Sequence, residues 1–348
     1  MSTAPGPGLT VAVTGPTGEI GKPFIAALER TREVARVRGM ARRAFHPAAE
    51  GWRKTTYVRG DVTQRDDVQR LVEGADVVVH LAFVILQAGA ATRLNLEGSR
   101  TVFEAAVAAG AKRLVYTSSV AAYGFHPDHP ELLTEDMPAR GTNTFPYSAQ
   151  KAEVERVLDQ ALDDAATQAY VFRPCIVAGP RAPLLLESLP YVRLAERTPP
   201  ALRRLLDRLP VARPVLPDPG VPFQLVHHDD VAAALRAAVL GRGEPGVYNL
   251  AAEGSLTLSD LAEELEWYAI PLPELAVDAT AEVVARLPFL PPEASWITAL
   301  RRPVLMDSGK ARRALRWRPR HDALQTLRAT IAAHRERQGD VSPATRDR

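Results

Sequence analysis

Residues 11–24 read VAVTGPTGEIGKPF, an apolar run that gives way to a segment with Gly15, Gly18 and Gly21 at every third position. Glycines so spaced mark many turns that never meet a ligand, so the flanks decide. Upstream, Leu9-Thr10-Val11-Ala12-Val13 is short, apolar and β-branched, as a buried strand is; downstream, Phe24 to Leu28 resumes with helical spacing. Strand, tight turn and helix follow in order. In that geometry Gly15 permits the turn, Gly18 lets backbone approach a pyrophosphate, Gly21 lets helix pack on strand, and the helix N-terminus offers N–H groups to the anion.

The pattern repeats along the chain. Strand-like runs at Val34 to Met40, Thr56 to Val58, Val77 to Val79, Leu114 to Tyr116 and Tyr170 to Phe172 alternate with helical stretches. Such alternation predicts an α/β fold, a doubly wound parallel sheet (Rossmann) with a smaller interleaved C-terminal substrate-binding lobe. The dinucleotide-binding domain is expected over 9–180, with returning segments near 223–250. The lobe is expected over 181–222 and 251–331, with Leu184 to Leu186 and Leu202 to Leu209 as short helices, and a polar tail over 332–348.

The 348 residues are 46% hydrophobic, enough for one large domain or a domain with a lobe. Lys and Arg number 43 against 41 Asp and Glu, so no global field draws the chain to nucleic acid or to an anionic membrane. The lone Cys175 excludes an intrachain disulfide and suits a reducing compartment. The start has no signal-like core and no run reads as a membrane span, so the reading is a cytoplasmic protein with a small-molecule substrate; a homodimer is left open.

Tyr147 and Lys151 lie one turn apart on a predicted helix whose apolar stripe is Val154, Val157, Leu158, Ala161 and Leu162. A neighbouring ammonium stabilises a phenolate, which suits Tyr147 to acid–base work. Tyr116-Thr117-Ser118-Ser119 sits where a strand ends, at the sheet edge where open α/β proteins bind ligands, and a hydroxyl there can hold a developing oxyanion.

With these motifs stand Gly60-Asp61-Val62, His80-Leu81-Ala82, Asn95 with Gly98, Arg173-Pro174, Tyr248-Asn249-Leu250 and the segment Met306 to Pro319. Together they resemble the extended short-chain dehydrogenase/reductase family, also called the NAD-dependent epimerase/dehydratase family, over roughly residues 9–331. The resemblance implies that Ser119 positions the substrate oxygen, that Tyr147 exchanges its proton, and that Lys151 holds the nicotinamide ribose while lowering the tyrosine pKa. Ser119 is preferred to Ser118 because it precedes Tyr123-Gly124 by four residues, as the family's catalytic hydroxyl does. Gly15, Thr17, Gly18, Glu19, Ile20, Asp61, Val62, Leu81, Ala82, Thr117 and Pro174 complete the implied cofactor contacts. His80, His227 and His228 are read as packing or hydrogen-bonding residues, and no metal site is read.

Val34 to Ala48 holds no acid to grip ribose hydroxyls but does hold Arg36, Arg38, Arg42 and Arg43. NADP(H) is therefore favoured over NAD(H), with Arg42 and Arg43 as 2′-phosphate ligands. The chain has Val120-Ala121 where sugar-nucleotide dehydratases carry an acid pair, and Ile176 and Phe223 where epimerases commonly use Asn and Arg. The expectation is a reductase of a fairly apolar ketone, or the reverse oxidation of a secondary alcohol. A nucleotide-sugar epimerase with retained NAD and a non-catalytic cofactor sensor are the alternatives.

Overall fold

The computed structural model describes residues 8–85, 90–189, 191–192, 213–272 and 302–338. Its strands are β1 (Leu9–Thr14), β2 (Val34–Ala41), β3 (Thr55–Arg59), β4 (Val77–His80), β5 (Arg113–Thr117), β6 (Gln168–Pro174), β7 (Ile176–Ala178), β8 (Val215–Asp218), β9 (Leu225–His227), β10 (Gly246–Leu250) and β11 (Tyr268–Pro271). Its helices are α1 (Gly21–Glu29), α2 (Arg65–Val72), α3 (Ala90–Ala108), α4 (Pro146–Leu162), α5 (Leu184–Glu187), α6 (His228–Val239), α7 (Leu258–Leu265), α8 (Gly309–Ala314) and α9 (Ala323–Arg337). Among the described residues no helix is long and apolar enough to cross a membrane.

Seven strands form one parallel sheet in the order β10-β6-β5-β4-β1-β2-β3. The chain winds outward from β1 in both directions, so the order reverses between β1 and β4, where a doubly wound sheet opens its ligand crevice. Alternate residues of each strand face opposite layers. Ala12, Met40, Val78, Leu114 and Tyr116 pack against Val68 and Leu71 of α2, Val102 and Phe103 of α3, and Val154, Val157 and Leu158 of α4. On the other face, Val11, Val13, Val77, Val79 and Val115 are fully buried, and α1 packs against α6. The valine-rich strands follow from this, because a strand covered on both faces has no polar side to present.

Two compact units divide the chain: residues 1–175, 228–251 and 306–318 form the first, and 176–227, 252–305 and 319–348 the second. The division departs from the expected boundaries in three places. The first unit stops at Cys175, not 180, because β7 leaves the main sheet to pair with β9. Phe223 to Val226, expected to rejoin that sheet, instead contributes Phe223 and Leu225 to the second core, with Leu185, Leu186, Leu216, Leu261 and Leu327. Residues 306–318, assigned to the lobe, belong to the first unit, where Ser308 exchanges hydrogen bonds with the Ala251 backbone. Helix α9 runs to Arg337, with Ile331 and His334 buried, so the polar tail does not begin at 332. The predicted helix at Leu202 to Leu209 and residues 339–348 lie outside the described residues.

Candidate active site

The glycine turn has a division of labour that added Cβ atoms reveal. Gly15 has φ +71° and abuts the loop after β4, where a Cβ would come within 2.8 Å of the Ala82 nitrogen. At Gly21 a Cβ would lie 2.2 Å from the Gly15 carbonyl oxygen. Both glycines are demanded by the fold. Gly18 is not: it is exposed, and a Cβ there would meet only the Gly15 oxygen at an ordinary 3.5 Å. A glycine the protein itself does not need suits a backbone that something else must approach. Immediately beyond, α1 begins without a side-chain cap and without an acid in its first turn, so no carboxylate of that turn offsets the positive end of the helix dipole.

Around this turn the ends of four strands converge. Leu81 N donates to the Thr14 carbonyl (3.2 Å) and Ala82 N to Thr14 Oγ1 (3.3 Å), which holds the β4 loop against β1. Thr117 closes β5 with its Oγ1 buried and without a partner, a cost a bound polar ligand would relieve. Pro174 closes β6 in register with Leu250. At the β2–β3 end, Arg42 and Arg43 are exposed, and their guanidinium groups make no hydrogen bond or ion pair among the described residues. Asp61 Oδ1 accepts from the Thr63 backbone and hydroxyl, both at 3.0 Å, and Val62 packs on Gly98. Thr17, Glu19 and Ile20 are half-buried in the opening turn. These residues fit a dinucleotide: an open glycine, an uncapped helix end, an orphaned hydroxyl and free cations share the carboxyl edge of the sheet.

If Gly18 is kept open for a ligand, Gly18→Val should leave the melting temperature within a degree or two of wild type and weaken NADPH binding at least tenfold, about 1.4 kcal/mol. Equal fluorescence titrations of mutant and wild type would refute the cradle.

The acid–base residues come together at the adjoining edge. Ser119, two residues beyond the end of β5, is in extended conformation and caps a 3-10 turn, Val120–Tyr123, accepting from Ala121 N at 3.2 Å. With a lone pair so engaged, its proton remains to be donated. Ser148 Oγ ties the start of α4 to this turn through the Ala121 carbonyl, 2.6 Å away. Burial raises the Tyr147 phenol above its ordinary value, and a side-chain hydrogen bond with Ser119 pulls it down. Ser118 is turned elsewhere, donating to Glu155 Oε1 at 2.5 Å.

Lys151 departs from its expected part. Its ammonium donates to the Thr117 carbonyl (2.9 Å) and the Tyr116 hydroxyl (3.3 Å), and lies 5.9 Å from the Tyr147 ring centre. It is not among the groups that lower the Tyr147 pKa; Ser119 has that effect here. Burial pushes Lys151 itself down to about 7, against an opposing pull from the Glu155 carboxylate. The Phe83 ring stands over the ammonium at 3.8 Å and meets Tyr147 edge-on at 5.8 Å. Asn95 holds this loop through paired hydrogen bonds with the Val84 backbone, both 2.9 Å, and reaches Gln150 of α4.

A depressed lysine makes the folded state bind fewer protons than the unfolded one between about pH 7 and its ordinary 10.5. Stability contributed by this site therefore rises with pH through that window, and the penalty is complete below pH 7. Lys151→Met should accordingly raise the melting temperature most at pH 6 and progressively less towards pH 10. A mutant–wild-type difference that is flat with pH would refute the depressed lysine.

The three histidines singled out in the sequence lie in different surroundings. His80 bridges Thr14 Oγ1 (2.7 Å) and Ser99 Oγ (3.0 Å), and burial, aided by Lys151, lowers its pKa to about 3. His227 stacks on His321 at 3.9 Å, and His228 Nδ1 lies 3.0 Å from Asp229. Sequence reasoning missed Phe83 and Glu155. An acid one turn past Lys151, beside Val154 and Val157, was a readable sign of a buried partner; nothing distinguished Phe83 from any loop aromatic.

The profile of the NAD dependent epimerase/dehydratase family matches residues 11–251. The chain belongs to that family. Curated relatives include human 3 beta-hydroxysteroid dehydrogenase type 7, 36% identical over 31% of this chain and 31% of that protein. The ceramide reductase of Caulobacter vibrioides is 30% identical over 66% of this chain and 62% of that one. The chain thus spans about a third of the length of the human dehydrogenase it matches. Among solved structures, UDP-glucuronic acid 4-epimerase from Bacillus cereus in complex with NAD superposes with TM-score 0.70 at 17% identity, covering 97% of this chain and 100% of that one. The dTDP-glucose 4,6-dehydratase of Streptomyces venezuelae, also with NAD, gives 0.69 at 22%, covering 97% and 100%. At these identities the structures bear on the fold alone. The curated relatives named here are thus a dehydrogenase and a reductase.

Proposed function

We propose that this member of the family is an NADP(H)-preferring oxidoreductase that interconverts a fairly apolar ketone and its secondary alcohol, with reduction as the physiological direction. The observation that carries the reading is the Ser119–Tyr147–Lys151 cluster at the carboxyl edge of the sheet. There a hydroxyl that accepts from its own turn keeps a proton to donate, and a half-buried phenol with a raised pKa keeps its proton at neutral pH. A bound nicotinamide supplies or takes up the hydride. Tyr147 Oη gives its proton to the substrate oxygen in reduction and recovers one in oxidation, while Ser119 donates to the oxyanion as charge develops. When the cofactor is bound, Lys151 would hold the ribose, the Gly15–Ile20 turn the pyrophosphate, and Arg42 and Arg43 the 2′-phosphate.

Two features favour an apolar substrate over a sugar nucleotide. Phe223, where epimerases commonly use arginine, is buried in the second unit's core with Ile176 packed beside it, so neither offers a polar contact. Two of the relatives are named for a steroid and a ceramide, both largely hydrocarbon molecules. An epimerase with retained NAD is the second reading, since sugar-nucleotide enzymes share this fold.

The test incubates purified protein with NADPH and a panel of alicyclic and aryl ketones, and separately with UDP-glucose. Stoichiometric NADPH loss with a ketone supports the proposal; copurified NAD and sugar interconversion without net cofactor loss would replace it by the second reading. In the same titrations, Arg42→Ala/Arg43→Ala should weaken NADPH by about tenfold or more and spare NADH, since a charge-assisted hydrogen bond contributes roughly 1.5–3 kcal/mol. Tighter wild-type binding of NADH than NADPH would sink the preference.

A further inference from the structure

Glu155 is a buried charge that the mechanism leaves unused. It lies on α4 one turn beyond Lys151, flanked by Val154 and Val157. Its Oε1 accepts from Ser118 Oγ at 2.5 Å and Arg173 Nε at 3.0 Å, and its Oε2 from Arg173 Nη2 at 2.5 Å. Arg173, on β6, is fixed in turn: Nη1 donates to the Met137 carbonyl (3.1 Å), and the guanidinium stands 4.3 Å over the Tyr123 ring. Tyr123 closes the same 3-10 turn that Ser119 opens, and its hydroxyl donates to Asn249 Oδ1 of β10 at 2.7 Å. The Ser118–Tyr123 stretch is thus gripped at both ends by one carboxylate–guanidinium pair.

We infer that Glu155 is a positioning residue of the acid–base site, which through Ser118 and Arg173 fixes the turn that aims the Ser119 hydroxyl at Tyr147. The inference rests on the roles proposed above for Ser119 and Tyr147. The geometry supports it directly, since the carboxylate fixes the residue immediately before Ser119, in addition to the bonds within the turn from Ala121 N to Ser119 Oγ (3.2 Å) and from Ala122 N to the Ser119 carbonyl (3.0 Å). The Glu155 charge has a second effect, favouring the ammonium form of Lys151 against burial. The groups facing that ammonium are Tyr116 and the Thr117 carbonyl from β5, neutral His80 from β4, Phe83 from the β4 loop, and Tyr147 and Glu155 on its own helix. Those facing Glu155 are Tyr116 from β5, Ser118 just beyond that strand, Arg173 from β6 and Asp159 on α4. Glu155 is the one anion that acts on Lys151 among the described residues, so neutralising it has a defined sign.

The test reads the two titrations in the full-length protein by NMR, with 13C-labelled tyrosine and lysine assigned by Tyr147→Phe and Lys151→Met. Ser118→Ala leaves the ion pair intact but cuts the tether. It should raise the Tyr147 midpoint in the same direction as Ser119→Ala, because the hydrogen bond that lowers it is weakened. Glu155→Gln keeps the shape but not the charge, and should lower the Lys151 midpoint by about one pH unit. A purely structural role would change melting temperature and move neither midpoint. If Ser119→Ala raises the Tyr147 midpoint and Ser118→Ala does not, the positioning role is overturned; should Glu155→Gln fail to fold, that comparison still decides. An unshifted Lys151 midpoint in folded Glu155→Gln also overturns the effect on Lys151. Absence of turnover on every carbonyl would defeat the proposed function while leaving both titrations readable.

Discussion

Tyr147→Phe is expected to lower turnover by roughly 10²–10⁴-fold, the usual range for a lost general acid. The substitution is narrow. Phenylalanine keeps the ring that meets Phe83 edge-on and lies 5.8 Å from Phe145, so packing at the start of α4 is preserved. What disappears is the oxygen that Ser119 bonds to and the proton that burial retains on it. Steady-state rates on the ketone that supports turnover, with NADPH affinity measured by fluorescence, should show a collapsed kcat beside a cofactor affinity changed by less than about threefold, under about 1 kcal/mol. Near-wild-type turnover would remove Tyr147 from the chemistry and with it the mechanism.

The largest stability effect is expected at Arg173. Arg173→Met fills the volume but strands the Glu155 carboxylate, whose side chain is 9% exposed, without its counterion. Breaking one side of a buried pair costs about 3–5 kcal/mol, because the remaining charge keeps its desolvation penalty and loses its compensation. Urea denaturation followed by both far-ultraviolet circular dichroism and tryptophan fluorescence is the appropriate measurement, since a chain with two compact units need not unfold in one step. The double variant Arg173→Met/Glu155→Gln should recover part of the loss, as no bare charge is then buried. A loss below about 1 kcal/mol in the single variant would show that water reaches the pair.

The sheet was legible because its strands carry their own signal. Val77-Val78-Val79 and Leu114-Val115-Tyr116 are buried on both faces, and only a parallel sheet layered by helices makes such runs economical in polar contacts. The glycine turn and the Tyr147–Lys151 spacing were legible because each depends on neighbours within a few residues. What escaped depends on residues far apart in sequence. Ser118, Glu155 and Arg173 meet across 18 to 37 positions, and the direction of the Lys151 ammonium is decided by Thr117 and Phe83, on different elements. The excursion of β9 away from the main sheet was hidden for a related reason. Leu225-Val226-His227 has the composition of any buried strand, and composition does not say which sheet a strand joins.

The chain's repeated passage between its two units bears on how the protein emerges from the ribosome. Strand β6 is made early, yet its outer neighbour β10 is supplied only after the intervening second-unit segments have been synthesised. Until then β6 presents an unpaired row of amides and carbonyls, the kind of edge that recruits foreign strands. The segment 306–318, which hydrogen-bonds to the end of β10 through Ser308 and seats the Trp317 indole on the Asp230 carbonyl, comes later still. The nascent first unit therefore cannot close in the order of its own translation, and nonsense truncations between β6 and β10 should yield chains prone to aggregate and dependent on chaperones.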